Sequence, residues 1–117
     1  MYEIAVVDKF VGMHALPDEA PHRHEFKVEV VVLGERLGEG NILVDFRELK
    51  ASLRAVLAPL EGKNLLELPF WEGGVPSTEA IARFVYRGLE RCAWDRPLTL
   101  SRVTVWESEG ARVSYYE

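Results

Sequence analysis

A single cysteine, Cys92, stands in 117 residues, so the chain can close no disulfide of its own and build no zinc or iron–sulfur site from several thiolates. No apolar run approaches the roughly 20 residues of a membrane span, and the first residues, MYEIAVVDKF, lack the layout of a signal peptide. A cytoplasmic setting is therefore expected, with no membrane partner. Positive charge is scarce as well: 14 Lys and Arg face 19 Asp and Glu, for a formal net charge of −5. The ten arginines are scattered singly, which argues against a nucleic-acid partner. Glutamine is absent and asparagine occurs twice, a depletion of thermolabile amides that resembles heat-adapted proteins. Apolar residues, by contrast, are plentiful. At 48% of the chain they suffice for a core, and the length predicts one domain over residues 1–117.

Side-chain periodicity predicts the elements. Residues 2–14 are rich in valine, isoleucine and aromatics and predict a strand, bent at Gly12. A loop of about seven residues with two prolines follows. In residues 22–33, His22, His24, Phe26, Val28, Val30 and Val32 share one face, and Arg23, Glu25, Lys27 and Glu29 the other, the period-two pattern of a half-buried strand. Asp45 and Glu48 fit an N-terminal cap. Behind them Phe46, Leu49, Leu53, Val56, Leu57 and Leu60 form one stripe of a helix of roughly four turns, ending near Pro59 and Gly62. Residues 62–76 make a connection long enough to suggest function. Ser77 or Thr78 then caps a second helix, with Ile81, Phe84, Val85, Gly88, Leu89 and Cys92 inward. Residues 98–107 and 111–116 predict two more strands around a turn at Glu109-Gly110. The order is ββααββ. One-sided helices with alternating strands predict an α+β fold, a four-stranded antiparallel sheet with both helices on one face.

All three histidines fall within eleven residues. His22 and His24, at i and i+2 of a strand, point to one side, and His14 ends the preceding strand. A hairpin would bring it beside them. Three imidazoles with an open fourth position suit a catalytic Zn2+.

Taken in order, Phe10-Val11-Gly12-Met13-His14, His22-Arg23-His24, Gly40 to Asp45-Phe46, Pro76-Ser77-Thr78-Glu79 and Trp106-Glu107 resemble the motifs of the 6-pyruvoyltetrahydropterin synthase and 6-carboxytetrahydropterin synthase family. That family's pattern is F-x-A-x-H, H-G-H, G-x-x-x-D-F, P-T-x-E and a glutamate ending the third strand. The resemblance covers nearly the whole chain and implies the tunnelling fold in a single pterin-synthase-like domain. It further implies a zinc ion on His14, His22 and His24, and a pterin substrate of the dihydroneopterin triphosphate type held by Glu107, with Ser77 and Thr78 near the ring. It also implies a homo-oligomer, a hexamer of two stacked trimers with sites at subunit interfaces.

The chain departs from the family where protons move. The family's catalytic cysteine, four residues before H-G-H, is Asp18 here, with Glu19 next to it. In the family's Asp-His pair the acid survives as Glu61, but the histidine is Gly62. Cys92 lies on a helix core stripe and cannot substitute. Asp18, Glu19 and Glu61 are therefore the candidate catalytic acids, and Asp45 is a cap. Arg23 brings a bulky charge between the zinc histidines. Three outcomes fit this pattern: a carbon–oxygen lyase of altered or weakened activity, a side-chain-cleaving, aldolase-like variant, or a binding-only relative.

Overall fold

Strand alternation decides what this sheet buries. Phe26, Val28, Val30 and Val32 of the second strand are fully buried on one face, while Arg23, Glu25 and Lys27 are exposed on the other. The structure, a computed structural model, describes residues 1–14, 18–92, 94 and 97–117, His14 by its backbone only. The elements follow the expected order: β1 (Tyr2–His14), β2 (His22–Gly34), α1 (Phe46–Leu57), α2 (Thr78–Glu90), β3 (Thr99–Ser108) and β4 (Ala111–Tyr115). The sheet is antiparallel throughout, in the order β1-β2-β3-β4. Part of the expected β1–β2 loop, residues 15–17, lies outside the described residues.

Both helices lie on the even-numbered face of β1 and β2. Leu49, Leu53 and Leu57 of α1, with Ile81, Val85 and Leu89 of α2, are fully buried against Val28, Val30, Val103 and Val105. Two details differ from the sequence pattern. Phe46, expected in the stripe of α1, is 59% exposed and lines an open surface cavity with Ile4, Ile42 and Leu43. In α2 the buried stripe includes Ala82 and Tyr86, while Phe84 is only half-buried, as is Cys92, which lies two residues beyond the end of the helix. Phe84 instead joins an aromatic cluster with Phe70 and Trp71, at ring-centroid distances of 5.0 and 5.6 Å.

The caps are those the sequence implies. Asp45 accepts from the Arg47 N–H at 2.8 Å, and Ser77 from the Ala80 N–H at 3.1 Å. The 62–76 connection is tied down along its length. The Trp71 indole donates to the Leu65 carbonyl at 2.7 Å, and the buried Leu65 packs against Gly12 of β1. Among the described residues no helix is long and apolar enough to cross a membrane.

Candidate functional site

Hairpin register places the histidines. His14 pairs with His22, and Gly12 with His24, so positions 14, 22 and 24 share the helix-covered face at the loop end of the β1–β2 hairpin. The His22 and His24 ring centroids lie 5.8 Å apart at an interplanar angle of 86°. Two imidazoles with a nitrogen about 2.1 Å from one tetrahedral ion have their ring centres roughly 5 Å apart. The observed separation is within about 1 Å of that, and neutral nitrogen donors suit the metal. Among the described residues no group of three ligand-type side chains converges; the third expected ligand, the side chain of His14, lies outside the description. His22 is exposed and His24 half-buried, the latter with its ring 4.6 Å from that of Phe26. Phe26 stacks on Phe10 at 5.0 Å, so apolar core begins directly behind the histidine pair.

The third strand meets this site through a bulge. Trp106 pairs with Arg112 and Ser108 with Ala111, which leaves Glu107 as the extra residue. A bulge re-aims a side chain and frees its backbone from the ladder. The freed Glu107 carbonyl is hydrogen-bonded to His24 Nε2, joining the histidine end of β2 to the glutamate end of β3. The half-buried Glu107 lines a cavity of about 240 Å³ with Thr78, Glu79, Arg112 and Val113. Thr78 and Glu107, both expected in substrate binding, thus share one cavity. Ser77 does not line it; its hydroxyl is committed to the helix cap. Glu79 and Arg112 were not singled out by sequence. Glu79 stands in the P-T-x-E-like motif, but no sequence signal marks Arg112, which reaches the cavity only because β4 folds back beside Glu107.

The candidate acids are not grouped. Asp18 (φ 69°) and Glu19 are exposed in the turn before β2. Glu61 is engaged elsewhere: its Oε2 accepts the Val11 N–H at 2.6 Å, and its Oε1 lies 3.7 Å from Arg54 Nη1. Gly62 has φ 71° and open space around a would-be Cβ, so a histidine there meets backbone strain but no steric block. Arg23 is exposed on the face opposite the histidine pair. Strand alternation therefore carries its charge away from the histidine pair within this chain, on the face the period-two pattern assigns it. Cys92 Sγ lies 3.8 Å from the Gly88 carbonyl on the helix, remote from the histidines.

With this geometry in hand, the chain can be set beside known proteins. A profile described as 6-pyruvoyl tetrahydropterin synthase matches residues 3–117. The 6-pyruvoyl tetrahydropterin synthase of Caenorhabditis elegans has the same fold, with a TM-score of 0.85 at 20% identity over 99% of this chain and 95% of that one. An uncharacterized protein of Wolinella succinogenes superposes with a TM-score of 0.77 at 17% identity, covering 98% of this chain and 97% of its own. The 6-pyruvoyltetrahydropterin synthase of Plasmodium vivax is 20% identical over 99% and 97% of the two chains, with a TM-score of 0.71. A catalytic-residue mutant of that enzyme, a glutamate replaced by alanine, gives 0.72 at 18% identity, over 99% of this chain and 97% of that one.

Proposed function

The chain belongs to the 6-pyruvoyl tetrahydropterin synthase family, and we propose that residues 1–117 form one zinc-dependent pterin enzyme acting on dihydroneopterin or its triphosphate. The observation that carries this reading is the register that sets positions 14, 22 and 24 on one face, with the Glu107 bulge bonded to His24. His14, His22 and His24 would hold the ion. Bound zinc supplies Lewis-acid polarisation of the substrate's side-chain oxygens, which acidifies the neighbouring C–H bonds. The Glu107 carboxylate accepts hydrogen bonds from the N–H edge of the pterin ring, a charge-assisted contact that fixes its orientation. Thr78 adds a hydroxyl in the same cavity, and Ser77 holds the helix start beneath it. Asp18, or Glu19 beside it, takes the proton from the substrate side chain in place of the family cysteine.

Support for a carboxylate in that role comes from the Plasmodium vivax enzyme, whose catalytic residue is itself a glutamate. A carboxylate in that position is equally compatible with the aldolase-like outcome, in which the side chain is cleaved toward 6-hydroxymethylpterin. Absence of the family's histidine, Gly62 standing in its place, favours the remaining reading, a relative that binds zinc and pterin without turnover. Product analysis separates the three. Zinc-loaded protein incubated with dihydroneopterin triphosphate and, separately, with dihydroneopterin should release triphosphate, cleave the side chain, or leave both compounds intact.

Two measurements check the parts. Elemental analysis should find one zinc per chain, and the His22→Ala/His24→Ala double variant should lose most of it; full loading of that variant would sink the ligand assignment. Turnover should fall at least tenfold in Asp18→Asn, in line with removal of a general base, and stay unchanged in the exposed control Glu48→Gln. Equal rates in the two variants would remove Asp18 from the chemistry and leave Glu19 as the candidate.

A further inference from the structure

The segment that follows α1 runs beside the free edge of β1 as a short parallel strip. The Gly62 N–H donates to the Val11 carbonyl at 2.7 Å, the Met13 N–H donates to the Lys63 carbonyl at 2.9 Å, and Met13 and Asn64 form a parallel bridge. One rung of this strip is made differently. The Val11 N–H is taken by a side chain, Glu61 Oε2 at 2.6 Å. The other oxygen of that carboxylate faces Arg54 Nη1 at 3.7 Å, and the same nitrogen donates to the Lys9 carbonyl at 3.3 Å. Arg54 Nε lies 3.7 Å from Asp8 Oδ2. A continuous set of contacts thus runs from α1 through Arg54 and Glu61 to the backbone of β1, three residues before His14.

We propose that Glu61 is a positioning residue of the histidine site: it sets the last rungs of β1 and so the backbone height of His14 opposite His22. This role rests on the reading that the three histidines hold zinc. A carboxylate accepting a main-chain N–H is a strong, charge-assisted bond, and a group so committed braces the strand instead of carrying protons to substrate. The turn over residues 58–62 that follows α1, ending in the left-handed Gly62 with φ 71°, brings Glu61 beside β1. Beyond the Arg54 bond to Lys9, residues 61–64 supply the main-chain and carboxylate bonds described on this edge next to His14, so the register of His14 against His22 leans on them from that side.

The test uses Zn2+ alone, with affinity read by competition against a chromophoric chelator and amide exchange of Val11 and Met13 read by NMR. Glu61→Ala should weaken zinc binding about tenfold, the lower end of losses on removing an outer-shell partner, and should speed exchange at Val11. Glu61→Gln keeps an oxygen that can accept the Val11 N–H, so it should restore both readouts to within about threefold of the parent chain. If Glu61→Ala does not fold, Arg54→Gln, which removes the second anchor, should weaken zinc in the same assay by a smaller factor. Unchanged zinc affinity in whichever of these two variants folds overturns the role, even with faster exchange at Val11, since the contact would then brace the strand alone. Loss of turnover in Glu61→Gln with both readouts at parental values also overturns it, in favour of proton transfer. Failure of the parent chain to bind zinc overturns the site reading itself, and is distinguishable because it needs no variant.

Discussion

A methyl group at Gly12 would lie 3.0 to 3.1 Å from three atoms of the Leu65 side chain, and Leu65 is fully buried, with little room to turn away. Gly12→Ala should therefore destabilise the chain by about 1–3 kcal/mol, the usual range for overpacking, measurable as a lower urea midpoint. It should also push the 62–76 connection off β1. This contact explains part of what the sequence could and could not tell. The H-x-H spacing reports a shared face directly, since alternation along a strand is strict. The same rule carries Arg23 to the far face, so its bulk between the two histidines in sequence does not place its charge beside them. Glu61 left no such trace, because a carboxylate accepting a backbone N–H fifty residues away produces no periodicity. Glu107 was legible as a site residue only through motif resemblance; the bulge that aims it arises from pairing with β4.

Among the elements, the helices carry the clearest tests. At Gly88 a Cβ would sit 2.7 Å from Val56 Cγ1, so this glycine sets how closely α2 approaches α1. Gly88→Ala gains about 1 kcal/mol in helix propensity but meets an overpacking cost of about 1–3 kcal/mol, so it should be destabilising on balance. In a Val56→Ala background the obstruction is gone, and the same change should stabilise; urea denaturation of the four proteins reads the sign. The cap of α1 gives a pH dependence. Hydrogen bonds from Arg47 hold the Asp45 carboxyl below the usual carboxylate range. A lowered folded-state pKa means that the contribution is present above the ordinary range and lost as pH falls through the depressed value. Asp45→Ala should thus lower the thermal midpoint at pH 7, and the gap to the parent chain should narrow as the pH is taken below the ordinary carboxylate range. Helix positions and caps were legible because capping residues and stripes are local. The rotation that buries Tyr86 in place of Phe84 was not, because it depends on how Phe70 and Trp71 of the irregular connection before α2 fold back onto the helix.

At the scale of the whole molecule, the sheet ends in two edges. The outer edge of β1 from Tyr2 to Phe10 has no neighbouring strand among the described residues, nor has that of β4. Open edges of this kind invite pairing with another chain. The hexamer implied by the family remains a proposal. Its test is a light-scattering mass about six times the 13.3 kDa of one chain, and a mass equal to one chain at micromolar concentration would contradict it. Within each chain, the β1–β2 hairpin reaches beyond its support: β2 pairs with β3 only from Lys27 to Leu33, so residues 22–26 pair with β1 alone. The histidines therefore ride where β2 has lost its β3 neighbour and β1 is flanked only by the short 62–64 strip, a part of the sheet with a low free energy of local opening. An ion joining position 14 to positions 22 and 24 would act there as a clasp, closing the hairpin as a cross-link does and spending part of its binding energy on fraying it prevents. Stripping the metal should speed amide exchange at residues 10–13 and 22–25 and leave Val28 to Val32 as protected as before.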